Sequence, residues 1–219
     1  MQFNEAQIQA IQHNTGPCMV IAGPGSGKTT VLTHRVRYLI ERYGVNPSDI
    51  LVITFTKAAA EQMKLKFKGL SEGRNSAVTF GTFHAVFFTI LKAAYNYSAH
   101  CIIKPQIQHE FVKDQMCRLE LEYDDENEAV AGVLSEISCV KGEDVNIDEY
   151  ESRCIPPQSF RIMYRAYDDM LVRKHLIDFD DMIVQCRELL MQREDYRRAW
   201  QNKYKYILIN EFQDINKAQ

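Results

Sequence analysis

The amino-acid sequence predicts an α/β fold, in which a mostly parallel sheet with crossover helices is interrupted by a largely helical insertion. Three observations support it. Up to about residue 95, apolar runs of strand length alternate with amphipathic helical patterns. From about residue 96 the strand-like runs nearly vanish, and then the apolar run Tyr206–Ile209 returns. We therefore divide the 219 residues into an α/β domain, 1–95 and 178–219, and a helical subdomain, 96–177.

Strands and helices of the α/β region follow from apolar spacing. The predicted strands are Cys18–Ala22, Ile50–Phe55, Ala77–Phe80 and Tyr206–Ile209. The predicted helices are Asn4–His13, Lys28–Tyr43, Ala58–Lys68 and a segment that begins at Phe83. Asn4 and Gln7 have the spacing of a capping box, while Gly44 and Gly69 stand where glycines end helices.

The inserted region is predicted to be helical. Helical spacing covers Phe111–Leu119, Glu128–Ile137 and Phe160–Val172, and a further helix begins at Asp178 or Asp180. Asp181 adds a third carboxylate at that start, which could suggest a metal site. A helix N-cap with carboxylates in a favourable dipole field explains the cluster more simply.

Composition narrows the class of protein. With 46% apolar and 25% charged residues, the chain is an ordinary globular protein and neither disordered nor collagen-like. No window approaches the roughly 18 apolar residues of a membrane span, and the N-terminus lacks a signal-peptide pattern, so a cytoplasmic protein is expected.

The six cysteines have no metal-site spacing and are predicted to be free, buried thiols. Residues 1–100 hold 10 Lys+Arg and 5 Asp+Glu, a mild hint of an anionic partner.

A glycine-rich segment follows the first predicted strand and opens a helix. It reads Ala22-Gly23-Pro24-Gly25-Ser26-Gly27-Lys28-Thr29, so Ala22 replaces the first glycine of the P-loop pattern G-x-x-x-x-G-K-[ST]. The glycines allow backbone N–H groups to point at a phosphate, and the helix N-terminus adds partial positive charge. In this interpretation Lys28 reaches the β- and γ-phosphates and the Thr29 hydroxyl binds Mg²⁺.

The strand Tyr206–Ile209 runs into a polar cluster at its C-terminal end, where α/β sheets place ligands. Glu211 is predicted to be the general base that positions the attacking water. Asn210 stands where such sites usually carry Asp, and a neutral amide removes a full negative charge from a Mg²⁺ shell. We expect weakened metal binding and slow hydrolysis. A variant that works through Thr29 and the nucleotide's own phosphates, or an engineered change, also stays open.

Five segments, in this order, resemble the motifs of the UvrD/Rep/PcrA-like superfamily 1 helicases. Phe3–Ile11 is similar to the Q motif, Ala22–Thr29 to motif I, where an initial Ala is common, and Asn210–Asp214 to motif II apart from Asn210. The resemblance implies a P-loop NTPase domain of RecA-like fold with ATP and Mg²⁺ as cofactors. It implies adenine contact by Gln7, and a role for Gln213 and Asp214 in coupling the nucleotide site to neighbouring motifs. Thr30 occupies a position where many members carry a nucleotide-contacting Arg.

The two remaining segments imply a DNA-binding surface. Thr54–Met63 is similar to motif Ia and Gly81–His84 to motif Ib, which contact single-stranded DNA in this family. The implied DNA-binding residues are Phe55, Thr56, Lys57, Thr82, Phe83 and His84. Hydroxyls and helix-start amides suit phosphate oxygens, and Phe55 could stack on a base. From the residues alone, a core position for Phe55 and a structural role for His84 stay open.

The resemblance implies that the parent protein moves along DNA from 3′ to 5′ at the expense of ATP and unwinds it. It implies single-stranded DNA or duplex junctions as the partner. No motif beyond motif II is found, so the second motor domain is expected to be missing and the chain alone to lack unwinding activity. One alternative is a naturally truncated, non-catalytic module that binds nucleic acid or a partner. Another is an unrelated P-loop kinase or GTPase, which predicts neither a Gln7 contact nor DNA affinity.

Overall fold

The computed structural model describes residues 3–71 and 77–218 and has the predicted α/β class with a parallel sheet. It forms two compact units. The first comprises Met1–Val86 and Arg193–Ile215, and the second comprises Phe87–Gln192 and Asn216–Gln219. The second unit, called the helical unit below, is wider than the subdomain 96–177, because most of the helix that begins at Phe83 and the helix after Asp178 fall within it.

The part of the chain that the structure describes contains nine α-helices. They are α1 (Glu5–Gln12), α2 (Lys28–Tyr43), α3 (Lys57–Leu70), α4 (Phe83–Tyr95), α5 (Pro105–Arg118), α6 (Glu126–Glu143), α7 (Pro157–Arg173), α8 (Phe179–Gln192) and α9 (Glu194–Lys203). Within the described ranges, none is long and apolar enough to cross a membrane.

The sheet of the α/β unit has three described strands, β1 (Ile50–Thr54), β2 (Thr79–Thr82) and β3 (Tyr206–Ile209). Their order is β2-β1-β3 and both pairings are parallel. Thr54 lies opposite Thr82 in the register, and Ile53 lies opposite Ile209. The carboxyl ends of all three strands therefore share one edge of the sheet, which brings the candidate motif residues after each strand to that edge.

Side chains from β1 build the core of the α/β unit. All five β1 residues are buried, as expected of a central strand covered on both faces. One face packs against α2 and α3. Its buried cluster consists of Val36, Leu39, Ile50, Val52, Met63, Phe67, Val78 and Leu208.

The helical unit has a separate core. It is assembled from one side of each of α5, α6 and α7, whose apolar residues recur at helical spacing. Its buried members are Ile103, Val112, Met116, Val130, Val133, Ile137, Val140, Phe160, Met163, Tyr167, Met170 and Leu171.

The prediction of a strand at Cys18–Ala22 is wrong. These residues have no strand assignment, and Met19, Val20 and Ile21 are 69%, 54% and 91% exposed. A strand depends on a neighbour for its backbone hydrogen bonds. Among the described residues none pairs with this segment, so its apolar composition alone does not place it in the sheet.

Smaller differences concern element ends and the cysteines. The strand predicted at Ala77–Phe80 lies two residues later, at Thr79–Thr82, and Gly69 lies inside α3, which ends at Leu70. The helix α9 lies outside the predicted helices, and its sequence is mostly polar. All six cysteines are free, but only Cys186 is buried. The prediction of buried thiols is therefore wrong for most of them.

Candidate functional site

Helix α1 brings Gln7 to the phosphate loop. The predicted capping box is formed: the Gln7 backbone N–H donates to Asn4 Oδ1 at 2.8 Å, and the Asn4 N–H donates to Gln7 Oε1 at 3.0 Å. The Gln7 side chain also donates from Nε2 to the Ser26 carbonyl oxygen at 3.0 Å. A capping glutamine and the glycine-rich loop, 19 residues apart in sequence, are thus in direct contact.

The loop between Ala22 and α2 has the backbone form that an anion site needs. Gly25 and Gly27 have φ values of +73° and +84°, a left-handed region that favours glycine. Gly27 is the N-cap of α2, and no side chain caps that end. The N–H groups of the first α2 turn therefore remain available to a phosphate, as the sequence predicts.

Lys28 and Thr29 begin α2 at this loop. The Lys28 ammonium donates to the Ala22 and Gly23 carbonyl oxygens, each at 3.3 Å, so its cation folds back across the loop. Thr33 Oγ1 donates to the carbonyls of Thr29 and Thr30 at 3.0 and 2.9 Å, which fixes the start of the helix. Thr29 and Thr30 are half-buried on the first turn.

The predicted motif II residues follow β3. Asn210 is 8% exposed and extends the β1 pairing, because its N–H donates to the Ile53 carbonyl oxygen at 2.9 Å. Its side-chain Nδ2 lies 3.5 Å from Thr54 Oγ1. Glu211 adopts a left-handed backbone with φ +58°, and its Oε2 accepts from Gln213 Nε2 at 2.8 Å. The described hydrogen bonds and ion pairs do not join 22–30 to 210–214.

Motifs Ia and Ib are neighbours at the carboxyl edge of the sheet. Thr56 caps α3, with its Oγ1 accepting from the Ala59 N–H at 3.1 Å, and Thr82 Oγ1 likewise accepts from the Ala85 N–H at 3.2 Å. Each hydroxyl keeps its hydrogen for donation to another acceptor. Two helix N-termini and two threonine hydroxyls are therefore brought together, an arrangement suited to phosphate oxygens.

The remaining predicted DNA-binding residues differ in exposure. Lys57 is exposed at the start of α3, and Phe55 is half-buried with its ring centroid 5.5 Å from that of Phe83. Phe83 is only 4% exposed, so its ring is a core element and offers little surface to a ligand. Burial lowers the pKa of His84, which favours the neutral imidazole.

The aspartates at the start of α8 act structurally. Asp178 accepts from the Asp181 N–H at 2.7 Å, which is the predicted N-cap. Lys141 makes ion pairs with Asp168, Asp178 and Asp181 at 3.0, 3.0 and 2.7 Å. Within residues 3–71 and 77–218, no group of three or more His, Cys, Asp or Glu side chains has the form of a metal site.

Sequence reasoning missed two residues that join α1 to α2. Arg35 and Tyr43, both on α2, donate hydrogen bonds to backbone carbonyls at the end of α1. Their acceptors are main-chain atoms, which every residue carries, so no pattern of side chains could have identified the contacts. They matter because they attach Gln7's helix to the helix that begins with Lys28.

Comparison with known proteins identifies the family of this chain. The model of the UvrD/REP helicase N-terminal domain matches residues 3–219. The chain is 34% identical over 229 residues to the putative ATP-dependent DNA helicase YjcD of Bacillus subtilis, covering 99% of this chain and 29% of that protein. It is 34% identical over 227 residues to the ATP-dependent DNA helicase Rep of Escherichia coli, covering 100% of this chain and 33% of Rep.

A third relative is the ATP-dependent DNA helicase PcrA of Staphylococcus epidermidis, 31% identical over 229 residues, with 99% of this chain and 30% of PcrA covered. The chain thus spans about a third of the length of the curated relatives it matches. A family model that extends over nearly every residue, including the loop, the strand ends and the cluster after β3, fixes the family. The chain belongs to the UvrD/REP helicase N-terminal domain family.

Proposed function

We propose that this chain is the ATP-binding and DNA-contacting N-terminal part of an ATP-dependent DNA helicase or translocase. The observation that supports the proposal is the 3.0 Å hydrogen bond from Gln7 to Ser26, which joins the amide proposed to read the base to the loop proposed to bind phosphate. The relatives are named ATP-dependent DNA helicases. The chain spans about a third of their length. We therefore propose 3′ to 5′ translocation and unwinding for the whole protein, and binding of ATP and DNA for the residues of this chain.

The hydrogen bonds of Gln7 support adenine as the base. A glutamine amide has two N–H donors and an oxygen with two lone pairs. The capping box uses one lone pair, and Ser26 uses one N–H. One N–H donor and one acceptor lone pair remain, and an adenine edge with its amino group and ring nitrogen offers partners for both. A kinase or GTPase of unrelated origin gives no reason for this contact.

The loop and first α2 turn are proposed to hold the triphosphate. The uncapped N–H groups after Gly27 fit phosphate oxygens, and Lys28 would exchange its two carbonyl acceptors for the β- and γ-phosphates. The Thr29 hydroxyl is the proposed Mg²⁺ ligand, with Asn210 contributing a neutral oxygen. Mg²⁺, when bound, supplies positive charge that neutralises the phosphates. Glu211, oriented by Gln213, is proposed to hold the attacking water.

DNA is proposed to cross the carboxyl edge of the sheet. Thr56 and Thr82 would donate to phosphate oxygens, Lys57 would supply the neighbouring positive charge, and Phe55 and His84 would border the same surface. Phe83 contributes by packing beneath Phe55.

Nucleotide binding is tested with the Lys28→Ala variant and a fluorescent ATP analogue in the presence of Mg²⁺. We expect at least about a tenfold loss of affinity, since an ammonium–phosphate contact is lost. Lys92→Ala, a change in the last turn of α4, is the control and should bind normally. Competition by ATP should exceed competition by GTP. Equal competition, with binding that survives Lys28→Ala, would reject ATP as the ligand.

Turnover is tested by steady-state ATPase with and without single-stranded DNA. With Asn210 in the metal shell we expect negligible hydrolysis by the 219-residue chain. Robust DNA-stimulated hydrolysis that Lys28→Ala abolishes would contradict this expectation while supporting the ATP site.

DNA contact is tested by fluorescence anisotropy with single-stranded DNA over a range of salt concentrations. Lys57→Gln should reduce the slope of log K against log salt by about 0.7, the value for one lost phosphate contact. Lys66→Gln is a matched control, because Lys66 is exposed on the opposite side of the same helix. Equal slopes for the two variants would argue against this DNA surface.

A further inference from the structure

Helix α1 is held to α2 by side chains that reach its terminal carbonyls. Arg35 Nη1 donates to the Ala10 carbonyl oxygen at 3.0 Å and also to that of His13. Tyr43 Oη donates to the Gln12 carbonyl oxygen at 3.0 Å. Three carbonyls at the end of α1 thus find their donors on α2.

These contacts supply what the α1 sequence lacks. The last carbonyls of a helix have no partner within the helix and carry partial negative charge. Helix α1 has only eight residues and no basic residue in its last turn. Arg35 provides the missing cation from α2, and both hydrogens of one guanidinium nitrogen are used. A lysine could not reproduce this planar, two-acceptor geometry.

The contacts of Arg35 and Tyr43 with α1 also determine the position of Gln7. Ala10, whose carbonyl Arg35 binds, follows Gln7 by three residues and so lies on the same side of α1. Ala10 and Ile11 are the buried residues of α1. Arg35 follows Lys28 by seven residues on α2, about 10 Å along that helix. The loop is therefore joined to α2 covalently, and the helix that carries Gln7 is joined to α2 through Arg35 and Tyr43.

We propose that Arg35 is a positioning residue for nucleotide recognition, which sets α1 on α2 so that Gln7 meets the base while the loop holds the phosphates. The proposal rests on the proposed ATP-binding function. Arg35 itself touches neither base nor phosphate in this account. Its loss therefore affects recognition of the base and leaves recognition of the phosphates intact.

The test compares dissociation constants of the 219-residue chain for ATP, GTP and inorganic tripolyphosphate. In Arg35→Gln we expect the ATP constant to rise on the order of tenfold and the tripolyphosphate constant to stay within about twofold, so the ATP preference over GTP falls. Arg35→Lys should restore part of the preference. Arg37→Gln is the matched control, since Arg37 pairs with Glu41 at 2.8 Å on α2 itself.

The Arg35→Gln change is also made in a Gln7→Ala variant, which distinguishes an effect on the position of Gln7 from a general effect on the structure. There, Arg35→Gln should cause no further loss of ATP preference, because the group it positions is gone. A parallel loss of ATP and tripolyphosphate binding, or an unchanged ATP preference in folded Arg35→Gln, overturns the proposal. If the unsubstituted chain shows no ATP preference, the proposed function fails instead. Hydrogen exchange then decides whether Arg35 holds α1: faster exchange confined to Glu5–Gln12 in Arg35→Gln supports the anchor, and unchanged exchange rejects it.

Discussion

The helical unit and the α/β unit differ in what their backbones require of neighbouring segments. Both bury apolar side chains fully, for example Phe160 in the helical unit and Leu39 in the α/β unit, but the segment before the phosphate loop has no strand assignment and leaves Ile21 91% exposed. Helices satisfy their backbone hydrogen bonds internally, so packing of side chains completes the helical core. Strands depend on neighbours. Apolar residues of a strand-like segment gain burial only when the sheet extends to them.

Removal of a large core side chain from the helical unit should have the largest effect. Phe160→Ala is expected to lower the free energy of unfolding by about 3–5 kcal/mol, because it removes a fully buried ring and leaves a cavity. Urea unfolding followed by far-UV circular dichroism measures it. The single Trp of the chain, Trp200, lies in the α/β unit and reports that unit separately by fluorescence. A change below about 1 kcal/mol would show that the helical core is loosely packed.

The two units are expected to respond to pH in opposite senses. Burial, reinforced by Asp178 and only partly offset by Lys141, raises the pKa of Asp181 to about 7, and burial also raises that of Asp180. Burial would lower the pKa of Lys141, but its three aspartate partners outweigh it, so Lys141 stays charged. In the α/β unit, burial lowers the pKa of His34 and His84.

The sign follows from proton linkage. A raised carboxyl pKa means that the folded chain holds an extra proton, so the stability due to Asp181 is present at low pH and declines as pH rises from about 4 through about 7. The histidines act oppositely, since their contribution is lost as pH falls below about 6.5. The test compares the unfolding free energy of the unsubstituted chain with that of Asp181→Asn at each pH. We expect the first value minus the second to decrease as the pH rises from 5 to 8. A difference that is constant with pH would contradict the raised pKa.

A buried polar residue in each unit sharpens the comparison. Asp178 is buried beside the Lys141 cation, whereas the described side-chain hydrogen bond of buried Asn210 is to the neutral Thr54 hydroxyl. Asn210→Asp should therefore lower the unfolding free energy by about 1–3 kcal/mol without ligand, because a carboxylate is buried without a cation. With ATP present, it should tighten Mg²⁺ binding by about tenfold. Thermal unfolding with and without Mg²⁺–ATP measures both effects, and Asn210→Ser is the uncharged control.

The smallest effect is expected in the exposed segment before the phosphate loop. Ile21→Ser should change the unfolding free energy by less than about 0.5 kcal/mol, since its side chain is already in water. The same urea experiment measures it beside Phe160→Ala. A loss above about 1 kcal/mol would mean that Ile21 is buried in solution, which would remove the contrast between the units.

Local patterns in the sequence predicted the parts of the structure that local interactions determine. The Asn4–Gln7 capping box, the bounds of α2 and the Asp178 cap depend on neighbours within a few residues, and they were found. The prediction of a strand at Cys18–Ala22 was wrong because strand pairing depends on two segments. An apolar run alone does not show which segment it would pair with.

In the candidate site, too, local features were predicted and contacts between distant segments were not. A glycine-rich loop before α2 was predicted from its sequence, and two of its glycines, Gly25 and Gly27, adopt the positive φ that glycine tolerates best. The Gln7–Ser26 contact and the Arg35 anchor could not be predicted, since their acceptors are carbonyl oxygens of the main chain. Lys141 at the centre of three aspartates was also missed, because helical spacing alone does not show which faces of α6, α7 and α8 meet.

Lys28 has one further consequence. Its ammonium donates to the Ala22 and Gly23 carbonyls, so the lysine serves as an internal brace of this loop. If the loop binds a nucleotide as proposed, entry would be an exchange of partners, in which each carbonyl contact given up offsets part of the new phosphate contact. An alanine at this position removes the brace together with the charge. Its affinity loss therefore measures loop organisation and phosphate attraction in one number.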